Sequence, residues 1–240
     1  MILVRSLAYY LVLVLTILVY GLPLALLGWL MPMGWRHALG NAWGRANLWW
    51  LGVLCQLHYR VEGAEHLPTG PAIVMSKHQS TWETMALRGL LRKQQAWVLK
   101  RELMWIPVFG WAMAAVRPIA INRKAGRQAA RQIIEQGRRR LEDGQTIIIF
   151  PEGTRTAPGQ RRKYGIGGGM LAEKTGAPVI PIAHNAGVFW RRRSLRKYPG
   201  TIRVVVGAPL DVTGLNAAQI TRAVEEWIEE QQQHLPLEPD

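Results

Sequence analysis

The chain has 240 residues, enough for one sizeable α/β unit with an appendage and too few for two domains of typical size. Its 30 Lys and Arg against 16 Asp and Glu leave a formal charge of +14, which selects a negative partner: nucleic acid, anionic lipid headgroups or a phosphorylated substrate. The single Cys55 excludes an intramolecular disulfide framework and a cysteine metal cluster, and it fits a reduced, cytosol-facing compartment.

From Leu7 to Met33 no charged side chain occurs and Leu, Val and Ile dominate, so the stretch is long enough to cross or deeply enter a bilayer, for which about 20 apolar residues suffice. A signal peptide has an apolar core of only ~7–15 residues and a small-residue cleavage site, so the segment is expected to be retained. Gly21-Leu22-Pro23 interrupts it, which is compatible both with a kinked span and with a re-entrant helical hairpin. A weaker apolar stretch from Ala38 to Leu57 contains Arg45 and Asn47. It reads either as a second membrane element or as a helix packed on the main domain. Trp29, Trp35, Trp43, Trp49 and Trp50 cluster in this region, as interfacial anchors do. Arg5 stands alone before the first run while Arg36, Arg45 and a basic remainder follow, which for a single crossing places the main domain in the cytoplasm. Residues 1–57 are therefore a membrane-anchoring segment.

After His58 short apolar runs alternate with helical patterns, the signature of an α/β layer architecture with a mixed, largely parallel sheet flanked by helices. Strands are predicted at 71–76, 95–100 and 117–123, with a helix over 80–93. A helix from Lys124 to Glu142 ends before Gly144 and delivers the chain into the apolar strand Thr146–Phe150. Pro151-Glu152-Gly153 then breaks that strand abruptly, as a loop at the carboxyl edge of a parallel sheet would, where ligands of open α/β sheets bind. A glycine-containing basic loop, a helix through Ala172 to Thr175, the strand "PVIPIAHN", a basic hairpin-like stretch "WRRRSLRKYPG", the strand "IRVVVGAPL" and an amphipathic helix from Asn216 complete a domain over 58–230. The acidic, glutamine-rich residues 231–240 are expected to be disordered.

Two stretches carry candidate chemistry. In "VMSKHQSTWETM", Glu83 follows His78 by five positions; on the first turn of a helix starting near Ser80 its carboxylate can orient the imidazole and leave the other ring nitrogen as a general base. The same residues also read as an S-x-x-E capping box, with His78 a polar residue at a strand end. In "FPEGTR", Glu152 and Arg155 stand on a tight glycine loop. Arg suits phosphate because its planar fork donates two hydrogen bonds at once, while the bland alternative is a surface turn with an internal Glu–Arg pair. Lys100 and Arg123, each ending a predicted strand, can converge on the same edge.

Taken together, "KHQSTWET", "KRELMWIPVFGWAM" with "INR" downstream, "FPEGTR" and "VIPIAHN" resemble, in order and spacing, the four motif blocks of the glycerolipid acyltransferases over roughly residues 60–210. The chain looks like a bacterial 1-acyl-sn-glycerol-3-phosphate acyltransferase. That family's first motif most often ends in Asp, where this sequence has the longer Glu83. The resemblance implies that His78 removes the proton from an acceptor's glycerol hydroxyl as it attacks an acyl thioester, with Glu83 orienting the imidazole. It also implies that Lys100, Arg123, Glu152, Gly153, Thr154 and Arg155 bind the glycerol phosphate, and that Pro181 is architectural. Partners implied are lysophosphatidic acid, acyl-CoA or acyl carrier protein, and an anionic phospholipid membrane, with no cofactor and no nucleic acid.

The residues themselves add that no nucleophile elbow is present and that Cys55 is remote from the motifs, which favours direct transfer over an acyl-enzyme. No histidine pair has metal-ligand spacing, so no metal site is expected. "LMWIPVFGWAM" reads as an acyl-chain groove or as buried core. The clusters Arg161-Arg162-Lys163 and Arg191-Arg192-Arg193 with Arg196-Lys197 suit anionic headgroups, a carrier protein or coenzyme A, or are solvated loops. Two rival functions share these features: acyl transfer to another lysolipid such as a lyso-ornithine lipid, and non-catalytic lipid binding.

Overall fold

The computed structural model describes residues 1–91, 93–122 and 125–239. Helix α1 (Ile2–Thr16), a π-helical turn (Ile17–Gly21), α2 (Leu22–Leu27) and a 3-10 turn (Gly28–Leu30) run on as one apolar rod of 29 residues. At ~1.5 Å per residue such a rod is roughly 43 Å long and exceeds the hydrocarbon core of a bilayer. The chain does not reverse at Gly21-Leu22-Pro23: Pro23 sits in the first turn of α2 and the preceding π turn absorbs the disturbance.

The reversal comes later, at extended Pro32, and α3 (Met33–Cys55) returns along α1. Asn47 is the polar clasp of this helical pair, accepting from the Tyr9 hydroxyl at 3.1 Å and donating to Thr16 Oγ1 at 3.1 Å. Along the Ala38–Leu57 stretch α3 also packs on the main domain, burying Asn41, Gly44, Leu48, Leu51 and Cys55.

The domain then runs β1 (Leu57–Glu62), β2 (Ile73–Ser76), α4 (Trp82–Leu90), β3 (Gln95–Lys100), α5 (Phe109–Ala115), β4 (Ile119–Ile121), α6 (Arg127–Glu142), β5 (Thr146–Ile149), α7 (Gly167–Thr175), β6 (Val179–His184), α8 (Ala186–Phe189), β7 (Gly200–Val206) and α9 (Ala217–His234). Among the described residues these form a 7-stranded sheet ordered β1-β7-β6-β2-β5-β3-β4, in which β7 meets β6 antiparallel and every other neighbouring pair is parallel. Alternation along the strands feeds two cores. Val74, Trp97, Ile148 and Ile182 face α3, α4 and α8, while Ile73, Met75, Val98, Ile147 and Ile149 face α6, α7 and α9.

Three sequence expectations are corrected. Residues 231–234, expected in a disordered tail, form the last turn of α9, and Leu235 after them is buried. The amphipathic face drives this, because the helix buries Ile220, Val224 and Ile228 and is fixed at its start by an Asn216–Gln219 capping box. The "WRRRSLRKYPG" stretch is no hairpin; it contains no strand before Gly200. Lys197 within it is 1% exposed, with its Nζ at 3.4, 4.4 and 5.1 Å from the Tyr10, Trp190 and Tyr9 ring centroids, so it is an aromatic-cage cation rather than a headgroup contact.

Candidate active site

Adjacent parallel strands β2 and β5 end side by side, and the loops that leave their carboxyl ends build the site. His78 lies two residues beyond β2. Its Nδ1 is 2.8 Å from Glu83 Oε1, and the same oxygen accepts the backbone N–H groups of Gln79 at 2.9 Å and Ser80 at 2.7 Å. All three donors converge on one oxygen, since Glu83 Oε2 is buried without a hydrogen-bond partner. Burial pushes the Glu83 carboxyl up, but the His78 hydrogen bond and the Ser80 N–H outweigh it and hold the group below its ordinary range. A carboxylate at Nδ1 fixes the proton there and leaves Nε2 with its lone pair free to accept one. The imidazole face stacks on Phe150, centroids 4.0 Å apart and planes 13° apart, so its rotamer is held from two sides. The His78 side chain keeps 12% of its surface exposed.

The Glu83 contacts that the two readings of Ser80–Glu83 call for coexist. Helix α4 begins at Trp82, whose N–H donates to Ser80 Oγ at 3.2 Å, and Glu83 reaches back to the Ser80 N–H as a capping-box carboxylate does. That capping carboxylate is also the one bonded to the imidazole.

Glu152 has a different task from the one the resemblance implied. It is buried, its Oε2 accepts the His78 backbone N–H, its Oε1 lies 2.9 Å from Lys77 Nζ, and Thr156 Oγ1 donates to the same oxygen at 2.8 Å. The Thr156 N–H in turn donates to the His78 carbonyl at 2.8 Å. Desolvation pushes the Glu152 carboxyl up, opposed by Lys77 and these donors. With both oxygens committed, Glu152 braces the two loops against each other and offers nothing to a phosphate. The internal Glu152–Arg155 pair is not formed; the partner is Lys77, also buried, whose Nζ lies 2.7 Å from Glu229 Oε1 on α9. The Tyr164 hydroxyl donates to that same Glu229 oxygen at 2.9 Å.

His184, at the end of β6, stands behind the site as a structural histidine. Its Nε2 lies 2.9 Å from the Lys77 carbonyl and its Nδ1 accepts the Ala186 N–H at 3.3 Å, which fits only the neutral Nε2–H tautomer. Pro181, also on β6, pairs with Met75 of β2.

Cations surround the loop. Arg155 lines a cavity of about 480 Å3 with Arg191 and Arg192, and its Nε is buried without a partner. On the other side Arg162 and Lys163 line a cavity of about 640 Å3 together with Phe150, Gly153, Val98 and Ile133. Arg161 of that cluster is committed to Glu225 at 2.9 Å. Gly153 holds φ +69°, which lets the loop turn, and Thr154 beside it is half-buried. Lys100 closes β3, level with Pro151 by the β3–β5 register, and is exposed at the same sheet edge. Arg123 lies outside the described residues.

Sequence reasoning missed Lys77, Phe150, Thr156, Tyr164 and Glu229. Lys77 and Phe150 adjoin the motifs, but nothing local marks Glu229, whose partner is 152 positions away. The "LMWIPVFGWAM" block divides: Leu103, Met104 and Met113 pack against the core, while Trp105 is 79% exposed and Trp111, on the helix α5 that packs against α2, 52%.

A family model described as Acyltransferase matches residues 58–185. With the fold, this defines an acyltransferase. The protein of Pseudomonas aeruginosa named 1-acyl-sn-glycerol-3-phosphate acyltransferase is 39% identical over 231 residues, covering 95% of this chain and 90% of its own length. The enzyme of the same name from Cocos nucifera is 27% identical, covering 92% and 71%. The crystal structure of the 1-acyl-sn-glycerophosphate (LPA) acyltransferase PlsC from Thermotoga maritima superimposes with a TM-score of 0.80 at 25% identity, covering 97% of this chain and 95% of that one. The chain belongs to the 1-acyl-sn-glycerol-3-phosphate acyltransferase family.

Proposed function

We propose that this acyltransferase moves an acyl chain from acyl-CoA or acyl carrier protein to the sn-2 hydroxyl of 1-acyl-glycerol-3-phosphate, giving phosphatidic acid. The observation that carries this reading is the 2.8 Å contact between His78 Nδ1 and buried Glu83, which leaves Nε2 as the base. Nε2 takes the hydroxyl proton as the oxygen attacks the thioester carbonyl. The new C–O bond forms, the C–S bond breaks, and the imidazolium returns the proton to the departing thiolate. A thioester is already activated, so no cofactor enters.

Arg155, with Arg191 and Arg192 in the same cavity, is the anchor for the acceptor phosphate, and Lys100 approaches from the end of the neighbouring strand β3; Arg123 is a further phosphate ligand that the resemblance implies. Gly153 and Thr154 shape that loop, while Glu152 keeps it in register with His78. Catalysis takes place at the cytoplasmic face of a bacterial inner membrane. The 29-residue apolar rod anchors the chain there, and exposed Trp29, Trp35, Trp105 and Trp111 reach the headgroup level.

Purified protein offered a matrix of lysolipid acceptors with both thioester donors, followed by mass spectrometry, tests this. Phosphatidic acid from lysophosphatidic acid is the expected product. Acylation of a lyso-ornithine lipid in preference to lysophosphatidic acid would refute the acceptor, and lipid binding without turnover of any acceptor would refute the reaction.

A further inference from the structure

His78 is flanked by two residues whose side chains point the other way. The alternation of β2 carries through Lys77 and Gln79, so that both reach α9 while His78 stacks on Phe150. Glu229 and Gln232, three apart and so on one face of α9, receive them: Lys77 Nζ lies 2.7 Å from Glu229 Oε1, and Gln79 Nε2 donates to Gln232 Oε1 at 2.8 Å. Gln79 is 1% exposed and its amide is used at both ends, since its Oε1 accepts the Gly187 N–H at 3.2 Å. Glycine permits that approach, because a Cβ at Gly187 would stand 2.8 Å from Gln79 Cβ. Gln232 Nε2 in turn donates to the His184 carbonyl at 3.1 Å, which ties its own amide to the end of β6.

We propose that Gln232 is a positioning residue for acyl transfer, acting through Gln79 on the Glu83–His78 pair; this rests on the reading of His78 as the base. The path to the reacting imidazole is short. The Gln79 N–H is one of the three donors on Glu83 Oε1, the oxygen 2.8 Å from His78 Nδ1. A displaced Gln79 side chain turns that peptide, and with it the carboxylate that sets the imidazole. Packing alone does not call for the pair, because apolar side chains of the same size would seat α9 without desolvating two amides. What the amides add is direction, since the Gly187 N–H, the Gln79 amide and the His184 carbonyl are satisfied together in one arrangement. Helix α9 thus holds the residue before His78 through Glu229 and the residue after it through Gln232, which stands 153 positions from Gln79 in the chain.

Steady-state acyl transfer to lysophosphatidic acid by Gln232→Met, in the wild-type and the His78→Ala backgrounds, tests the proposal. Methionine keeps the length of the side chain and removes its amide. In the wild-type background kcat should fall about tenfold with the KM of both substrates within about twofold, since a misplaced reacting group costs rate rather than affinity. In the His78→Ala background the same change should cost less than about twofold, because groups that act as a unit are not additive. A wild-type kcat in Gln232→Met, a rise in KM alone, or a further loss of about tenfold in the His78→Ala background would each overturn the proposal. Full activity of His78→Ala would refute the base and this inference with it, whereas a wild-type kcat in Gln232→Met beside an impaired His78→Ala refutes the inference alone. Should Gln232→Met fail to fold by circular dichroism, Gln79→Met breaks the same hydrogen bond from the other side and is read by the same criteria.

Discussion

His184 is hydrogen-bonded at both ring nitrogens only while neutral, and burial, the largest cause, holds its pKa below the ordinary 6.5. An unfolded chain takes up the proton first. The stability this gives is therefore complete above pH 6.5 and is lost as pH falls from there toward the lower folded value. Thermal melts of the wild type should accordingly fall between pH 6.5 and 5 more steeply than those of His184→Gln; parallel curves would remove His184 from the acid response. Arg155 offers the complementary residue-scale test. Its side chain has a buried Nε without a partner and lines a cation-rich cavity, so Arg155→Ala should raise the apparent KM for the phosphorylated acceptor about tenfold or more with a smaller change in the thioester KM. A change confined to the thioester KM would move the phosphate elsewhere.

Elements are locked to one another by a few contacts that sequence patterns do not advertise. Lys77 ties the β2 loop to the β5 loop through Glu152 and to α9 through Glu229, with the Lys77 and Glu152 side chains removed from water. Lys77→Met would leave Glu152 buried and unpaired, at a cost of about 3–5 kcal/mol in denaturant unfolding; a loss below ~1 kcal/mol would mean that Glu152 takes up a proton instead. Helices α3 and α4 cross where Gly44 and Gly89 meet: a Cβ at Gly44 would stand 2.7 Å from both Gly89 N and Met85 O. Gly44→Val must separate the two backbones and should destabilise by about 1–3 kcal/mol, read as a lower Tm. Strands β3 and β5 and helices α6 and α9 were legible because apolar periodicity, Gly144 and an Asn cap mark them locally. Strand β1 was not read as one, because its burial is patchy and its place is fixed by pairing with β7 far along the chain. The His78–Glu83 pair was visible for the opposite reason, since six consecutive residues contain both groups and the helix start that joins them.

At the scale of the molecule, the charge of +14 divides into parts with different work. Lys77 and Lys197 are internal, one in an ion network and the other in an aromatic cage, and Arg203 is held by Glu62 on the neighbouring strand. Arg155, Arg162, Lys163, Arg191 and Arg192 line the two cavities on either side of the Glu152 loop, a basic environment that attracts anions, as the proposed function requires of its phosphorylated acceptor. Composition predicts the sum and cannot predict this partition, because burial of a lysine depends on rings and carboxylates supplied from distant segments. In the proposed function, the apolar rod, the exposed tryptophans and the basic cavities together bring a membrane lipid's hydroxyl to one imidazole nitrogen. The direct test is acyl transfer to lysophosphatidic acid in lipid vesicles by wild type and His78→Ala at equal membrane-bound amounts. A fall in kcat of about 10²- to 10⁴-fold, with the Tm and the membrane-bound fraction unchanged, is the expected result; transfer by His78→Ala at the wild-type rate would contradict the assignment of His78 as the base.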